Sequence, residues 1–309
     1  MFRCFAAILL LLLPGHAAEL KVAALHPLLA DLARQVGGDR VEVVDLIGQN
    51  GDPHHFSPAP ADLARAKDAK LYLASGMGLE AYLPTLRGIV GSSATIVEVG
   101  KDFPALQGND DDDDHDHDGG HEPAATAPGH RPMTDPHWWH STDLFRRATT
   151  VTADAFAAAD PEGAETYRKN AAAYREKLEA LDRWVRKEIA TIPRQDRRLA
   201  TAHSAFAYFC KDYGFRAIPV QGVNGEQMLS PAALGHLIDQ LKEEKVAALF
   251  PEKESNPKIL QALTGDTGIK LGTPLIADGG TAVTYEDMVH HNVEAIVAGL
   301  APKRNDASH

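Results

Sequence analysis

The sequence predicts an α/β protein of two lobes, each a mainly parallel β-sheet flanked by helices, joined by one long rigid interlobe helix. Three observations support this fold class. The chain has 309 residues, which suits two domains of about 100–200 residues each. Short β-rich runs alternate with helical patterns in both halves, as is typical of parallel sheets. Between the halves, apolar residues recur at steps of three and four over about 30 residues, which indicates a single amphipathic helix.

The first half is predicted to contain strands and helices in alternation, and the second half repeats this pattern. Strands are predicted at 20–25, 41–47, 71–75 and 95–99, and then at 198–201, 217–221, 246–250 and 275–277. Helices are predicted at 28–36, 60–67 and 79–90, and then at 205–213, 231–244, 257–264 and 285–300. The resulting organisation is an N-terminal lobe at 19–160, the interlobe helix at 161–192 and a C-terminal lobe at 193–309.

The interlobe helix is the most clearly patterned segment of the chain. Asp160 is a good N-cap, Pro161 suits the first helical position, and Pro193 ends the pattern. The predicted buried stripe consists of Tyr167, Ala171, Tyr174, Leu178, Leu181, Val185 and Ile189. We interpret the helix as a rigid strut between the lobes, although an ordinary long surface helix would show the same stripe.

Residues 1–18 have the layout of a secretory signal peptide. Arg3 precedes an unbroken apolar run at 5–13, and Ala17 and Ala18 offer small residues for cleavage after either one. The run is shorter than the ~20 residues that a membrane-spanning helix needs. Cys4 lies before the apolar run, so a lipid anchor is not expected there. The mature protein is therefore predicted to be exported and soluble, with Cys210 as a buried hydrophobic residue.

The chain is acidic, and its acidity is concentrated in one insert. The net charge is −12, which does not favour a nucleic-acid partner. Eight acidic residues lie in the insert at 109–131, together with His115, His117 and His121. Such a segment is predicted to be disordered, and its histidines favour auxiliary metal binding. A merely solubilising loop is the alternative.

Four further residues form the pattern that carries the chemistry. The tripeptide Asp-Pro-His occurs twice and ends at His54 and His137, where the proline restricts the backbone. His203 and Asp278 each follow a predicted strand in the second half. Ligands of parallel sheets bind outside the carboxyl ends of the strands. Three imidazoles and one carboxylate are a donor set that suits zinc.

These segments resemble the solute-binding receptors of bacterial zinc and manganese ABC transporters, the cluster A-I family. The resemblance covers nearly the whole mature chain. It rests on GDPHHFSPAP and the residues that follow it at 51–83, DPHWWHS at 135–141, DPEGAETYRKN at 160–170, TAHSAFAYFCKDYG at 201–214 and ADGG at 277–280.

The resemblance implies a site and a function. The ligands carried over are His54, His137, His203 and Asp278, with His55 and His140 as neighbours that could replace the first or second histidine. The fold implied is two α/β lobes with the metal between them, bridged by a long helix. The function implied is capture of Zn²⁺ as transported substrate and delivery to the membrane subunits of an ABC permease, by a monomer that a periplasmic metallochaperone could load. Manganese members tend to carry glutamate in place of the third histidine, so His203 favours zinc over a manganese or iron receptor.

Other classes of function agree less well with the sequence. Zincin motifs and the Gly-X-Ser-X-Gly elbow are absent from the sequence. An exported zinc hydrolase would need an open coordination position and a general base, for which Glu252 is a candidate, although a residue that supports a ligand or lies on the surface is favoured. The segment at 76–81 matches G-x-G-x-x-A of dinucleotide-binding proteins, but it follows the third strand rather than the first. A metal-storage protein would bind through the loop alone, with several weak sites.

Overall fold

The computed structural model describes most of the chain outside the termini. The described residues are 18–48, 51–108, 134–222, 230–252, 257–280, 282 and 284–302. The predicted signal peptide, apart from Ala18, and the acidic insert with His115, His117 and His121 lie outside them. Across the described ranges, no helix combines the length and the apolar character needed to cross a membrane.

Two parallel β-sheets confirm the predicted fold class. The strands of the first sheet are β1 (Leu20–Ala24), β2 (Val41–Asp45), β3 (Leu71–Ala74) and β4 (Thr95–Glu98), in the order β2-β1-β3-β4. A short antiparallel hairpin follows, with β5 at Leu106–Gln107 and β6 at Thr134–Asp135. The strands of the second sheet are β7 (Arg198–His203), β8 (Arg216–Gln221), β9 (Ala248–Phe250) and β10 (Lys270–Leu271), in the order β10-β9-β7-β8. All four residues of β3 and all three of β9 are buried, as expected for strands covered on both faces.

Helices cover both sheets. Their bounds are α1 Pro27–Gly37, α2 Pro60–Arg65, α3 Leu83–Val90, α4 Thr142–Ala159, α5 Ala164–Ile189, α6 Ala207–Tyr213, α7 Pro231–Glu243, α8 Pro257–Thr267 and α9 Tyr285–Leu300. The helix α1 packs on β1 and β2, whereas α9 packs on β9. The two helices also contact each other, so the parts of the chain that carry the two sheets meet directly.

The long helix α5 buries the stripe that its sequence predicts. All seven of the predicted apolar positions between Tyr167 and Ile189 are buried. The helix packs against α1 and α4 on the N-terminal side of the chain and against α9 on the C-terminal side. It therefore lies between elements of both halves, although the predicted lobe boundaries at 160 and 192 remain predictions.

The start of the long helix differs from the prediction. Asp160 makes no side-chain cap bond, and a 3₁₀ turn at Pro161–Gly163 precedes α5. The Asp160 carboxylate instead accepts hydrogen bonds from Arg40 at 2.6 Å and from the Tyr167 hydroxyl at 2.5 Å. These partners lower the pKa of Asp160 to about 2, with the Arg40 guanidinium as the largest cause. The residue thus ties the end of α4 to the first sheet rather than capping a helix.

The helix α4 and the segment at 275–277 also differ from the sequence prediction. The helix α4 was not predicted, although Ser141 caps it by accepting from the Leu144 N–H. Three of its four threonines, at 149, 150 and 152, lie in its interior, where they lower helix propensity and weaken the helical pattern. The predicted strand at 275–277 is wrong, because only an isolated bridge between Leu275 and Glu252 forms there. Cys210 is buried in α6, as predicted.

Candidate metal centre

The four predicted ligands come from loops and strand ends on both sides of the long helix. His54 lies in the loop after β2, and His137 lies two residues after β6. His203 is the last residue of β7, and Asp278 follows the bridge residue Leu275 by three positions. The site therefore lies beyond the carboxyl ends of the parallel strands β2 and β7, where ligands of such sheets bind, and the antiparallel hairpin adds His137.

Both Asp-Pro-His tripeptides fold into the same turn. In the first, the His54 N–H donates to Asp52 Oδ1 at 2.8 Å. In the second, the His137 N–H donates to Asp135 Oδ1 at 2.9 Å. A carboxylate that accepts from the N–H two residues later closes an Asx turn, and the intervening proline fixes its own φ. Each tripeptide thus holds the backbone of its histidine in a fixed conformation.

The side chains of the predicted ligands converge. The Nε2 atoms of His54 and His137 are 3.0 Å apart, and those of His137 and His203 are 3.4 Å apart. The three imidazoles offer ligand atoms that all lie within 4.8 Å of one another. Asp278 Oδ1 is 3.7 Å from His54 Nε2 and 3.8 Å from His137 Nε2. Tetrahedral zinc, with bonds of about 2.0–2.1 Å to nitrogen, keeps neighbouring donors about 3.3 Å apart, so these separations fit a single ion.

Two carboxylates orient the buried imidazoles through Nδ1, on the side of each ring away from the convergent Nε2 atoms. Asp135 Oδ1 lies 2.8 Å from Nδ1 of His137, and Glu252 forms a hydrogen bond with Nδ1 of His203. Glu252 also accepts from the main-chain N–H of His203 at 3.2 Å. A carboxylate at Nδ1 holds the proton there and leaves the Nε2 lone pair for a metal. Sequence reasoning left Glu252 as either a residue that supports a ligand or a surface residue, and it did not identify Asp135 as the partner of His137.

The electrostatics of the site follow from burial and from these carboxylates. Burial lowers the pKa of His137, and its hydrogen bond to the Asp135 carboxylate opposes this only in part. Burial also acts to lower the pKa of His203, but Glu252 outweighs it and raises that pKa to about 9. Burial acts to raise the pKa of Asp278, yet the surrounding imidazoles lower it well below its usual range. Asp278 is therefore a carboxylate at neutral pH.

Asp278 Oδ1 is a buried acceptor without a hydrogen-bond partner among the described residues. A buried carboxylate oxygen with no partner is costly, because its desolvation is not compensated. The oxygen faces Nε2 of His54 and Nε2 of His137. At His137 the hydrogen bond between Nδ1 and Asp135 leaves the Nε2 lone pair for a metal. A cation between these groups would satisfy all of them at once.

The neighbouring histidines that could have replaced a ligand lie elsewhere. The His55 side chain is 48% exposed, and its Nδ1 lies 2.6 Å from Asp52 Oδ2. His140 is buried against the Phe206 ring, at 4.3 Å between ring centroids. Neither belongs to the group of converging imidazoles. The structure thus brings together His54, His137, His203 and Asp278.

Two further residues beside the site were missed from the sequence. His26 is fully buried and caps α1, where its Nδ1 accepts from the Leu28 N–H at 3.1 Å. Burial lowers the pKa of His26 to about 3. Trp139 lies between the rings of His26 and His137, at 4.4 and 5.2 Å between centroids. The sequence offered a weak signal for His26, because histidine before proline and leucine at a strand end resembles a helix start.

The glycine-rich segment at 76–81 has a structural role. Glu80 is 3% exposed and accepts from the main-chain N–H groups of Ser75 at 2.6 Å and Gly76 at 3.0 Å. A dinucleotide phosphate would need such N–H groups for itself. A carboxylate that already occupies them excludes the dinucleotide interpretation of this turn.

The fold and the convergent donors define a metal-binding protein, and comparisons with known proteins identify its class. The family model described as ZnuA, zinc-uptake complex component A, periplasmic, matches residues 22–299. The chain belongs to this family. It is thus a metal-binding substrate-binding protein of an ABC transporter, not an enzyme, and its partners are the permease and ATPase of such a transporter.

Relatives that are named for binding different metals resemble the chain over most of its length. It is 31% identical to the manganese-binding lipoprotein MntA of Bacillus subtilis, over 91% of this chain and 90% of the relative. It is 29% identical to the iron-binding protein YfeA of Yersinia pestis, over 92% and 87% of the two chains.

Solved structures show the same fold. The periplasmic zinc binding protein TroA from Treponema pallidum aligns with a TM-score of 0.77 and 25% identity, over 92% of this chain and 99% of that one. The Mn-bound periplasmic metal binding protein from Candidatus Liberibacter asiaticus aligns with a TM-score of 0.78 and 22% identity, over 91% and 99%. The second likeness concerns the fold alone.

Proposed function

We propose that this protein captures Zn²⁺ in the cleft between its two halves and delivers it to an ABC permease for high-affinity import. The observation that carries the proposal is the convergence of three imidazole nitrogens within 4.8 Å of one another, with a carboxylate oxygen 3.7 and 3.8 Å from two of them. His54 and His137 come from the N-terminal side of the long helix, whereas His203 and Asp278 come from the C-terminal side. A metal ion held by all four would fasten the two sides together.

The donor set supports zinc over manganese or iron. Imidazole is a ligand that zinc favours, whereas manganese prefers carboxylate, carbonyl and water oxygens. Three nitrogen donors and one oxygen donor make the four-coordinate set typical of zinc. The family description names zinc uptake. The manganese and iron relatives make a manganese or iron receptor the alternative.

Competition between the metals tests the proposal. The purified mature protein is dialysed against equal free concentrations of zinc and manganese, and its metal content is measured by mass spectrometry. We expect one tightly held zinc per protein and a large excess of zinc over manganese, because the affinity order of nitrogen sites favours zinc over manganese. Manganese in the site at equal free concentrations would support the alternative instead.

Export and partners follow from the same proposal. We propose that residues 1–18 direct secretion and are removed after Ala17 or Ala18, so that the protein works as a monomer in the periplasm. The several relatives named as lipoproteins make lipid anchoring the alternative. The membrane subunits of the permease receive the metal, and a periplasmic metallochaperone is a further candidate partner.

A hydrolase function is less well supported by the geometry. A zinc hydrolase needs a general base that faces a metal-bound water. Glu252, the candidate from the sequence, hydrogen bonds to Nδ1 and to the main-chain N–H of His203. Its carboxylate therefore lies behind the ligand and not at an open coordination position.

The acidic insert is proposed to assist capture. His115, His117 and His121 lie among eight acidic residues within the sequence of 109–131. A segment that must become ordered on binding holds metal more weakly than a preformed site. Its negative charge nevertheless raises the local concentration of cations, an effect that salt weakens.

Deletion of residues 110–121 is therefore expected to slow zinc uptake without removing the tight site. Stopped-flow transfer of zinc from a chelator should be slower in the deletion variant at low salt, and the difference should shrink at high salt. The variant H115Q/H117Q/H121Q keeps the charge and serves as the matched control, so it separates steering from coordination. Equal rates at low salt would refute the capture role, and loss of the tight site would show that the loop supplies a primary ligand.

A further inference from the structure

Trp139 connects the two sides of the metal centre. Its side chain is 1% exposed, and its ring lies 5.2 Å from the ring of His137 between centroids. The indole Nε1–H donates to the carbonyl oxygen of Ala277 at 2.8 Å. The carbonyl oxygen of Trp139 accepts from the Tyr285 hydroxyl at 2.9 Å. One residue next to a predicted ligand of the N-terminal side thus holds the peptide that precedes Asp278.

The segment that carries Asp278 is held mainly by side chains. After the isolated bridge at Leu275, the Asn292 amide accepts from the Ile276 N–H and donates to the Ile276 carbonyl, both at 2.8 Å. The next bond along the chain is the one that the Ala277 carbonyl accepts from Trp139. His140 also faces this carbonyl.

A glycine follows the aspartate and brings the same segment against α1. Gly279 has a φ of +77°, and a Cβ there would lie 2.5 Å from the Leu28 side chain. The chain therefore turns sharply directly after Asp278, in a conformation that glycine allows. The position of the carboxylate depends on the bonds that precede this turn.

We propose that Trp139 is a positioning residue for Asp278: its indole N–H fixes the Ala277 peptide and sets the distance between the Asp278 carboxylate and His137. The inference rests on the proposed function, because it takes Asp278 as a ligand of the captured metal. A ligand held in place before binding loses less freedom when the metal arrives. Groups that orient metal ligands typically change the affinity by about 10–100-fold when they are removed.

The neighbouring residue provides a matched control. Trp138 is fully buried and adjacent in the chain, and its indole N–H donates to the Ser75 carbonyl at 3.1 Å. Ser75 lies on the N-terminal side, so this bond does not reach the segment of Asp278. W138F and W139F each remove one buried indole hydrogen bond and keep an aromatic ring.

Zinc affinities of the full mature chain, measured by chelator competition, test the proposal. We expect W139F to weaken zinc binding by about 10–100-fold, and W138F to change it by less than about threefold. Equal losses in the two variants would overturn the proposal, because a general loss of packing affects both.

A double-mutant cycle with D278A shows whether Trp139 acts through the aspartate. If it does, W139F/D278A binds zinc about as tightly as D278A alone, since the group being positioned is gone. Full additivity of the two losses overturns the inference but leaves the proposed function intact. A wild-type protein without a zinc preference refutes the proposed function, and an unchanged affinity in D278A refutes the ligand set together with the inference.

A measurement on the wild-type protein keeps the test valid should W139F fold poorly. Hydrogen exchange of the two indole N–H groups is followed by NMR with and without zinc. We expect zinc to slow the exchange of the Trp139 indole more than that of Trp138, because a metal bound to Asp278 restrains the adjacent Ala277 peptide and makes opening of its bond to Trp139 rarer. An equal effect on both indoles contradicts the proposal.

Discussion

Replacement of His203 by alanine is expected to remove most of the thermal stabilisation that zinc gives the protein. Its imidazole is one of the three convergent nitrogen ligands, and Glu252 holds it in place from behind. A ligand that binds only the folded state stabilises it by RT ln(1 + [L]/Kd), about 4 kcal/mol when free metal exceeds Kd ~1,000-fold. Loss of a ligand raises Kd and shrinks this term. The rise in melting temperature with zinc should therefore largely disappear in H203A.

An exposed histidine supplies the control for this experiment. His236 lies on α7 with its side chain in solvent. H236A removes a histidine of the same type without touching the convergent group, so its zinc-dependent shift should equal that of the wild type. If H203A instead binds one zinc as tightly as the parent, His203 is not a ligand.

Zinc affinity is expected to fall by about tenfold for each unit by which the pH is lowered from 9 to 7. Although burial acts to lower it, Glu252 raises the pKa of His203 to about 9, so the metal-free imidazole is protonated below that pH. Zinc binds neutral imidazole and must displace this proton. Burial lowers the pKa of His137, which keeps that ligand neutral over the same range. The stability of the metal-free protein depends on pH in the opposite direction. The raised pKa of His203 contributes stability that is fully present below about pH 6.5, and this contribution is lost as the pH rises through about 9.

Calorimetry in two buffers of different ionisation enthalpy checks the proton count. We expect about one proton to be released per zinc near pH 7.5. The variant E252Q keeps a side-chain acceptor of the same length but removes the charge. It should therefore release fewer protons per zinc than the wild type, and its zinc affinity should change less between pH 7 and pH 9. A flat profile in the wild type, without proton release, would contradict the assignment of His203.

Local patterns were sufficient to predict the helices and strands that have a strong period. The stripe of α5 was predicted in full because one helix face is buried along its entire length. The helix α4 was missed because its threonines favour other conformations, and its burial against α5 is a tertiary effect. The segment at 275–277 has strand-like residues, but the Asn292 side chain forms hydrogen bonds that a strand ladder would otherwise make.

The candidate site was predicted better than its surroundings. Histidines in repeated rigid turns and at strand ends are visible in the sequence, and the structure brings all four chosen side chains together. The sequence alone could not show that His55 lies outside the converging group. In the structure its Nδ1 lies beside Asp52 Oδ2. The bond from Trp139 to Ala277 joins residues 138 positions apart. No local pattern indicates such a contact, since it is created by the packing of the two sides.

Zinc-edge X-ray absorption of the mature protein loaded with one equivalent of zinc tests the central claim most directly. The arrangement of His54, His137, His203 and Asp278 predicts a four-coordinate ion with three imidazole ligands and one carboxylate oxygen, at distances of about 2.0–2.2 Å. Fewer than three imidazoles, or a six-coordinate shell dominated by oxygen, would contradict the account.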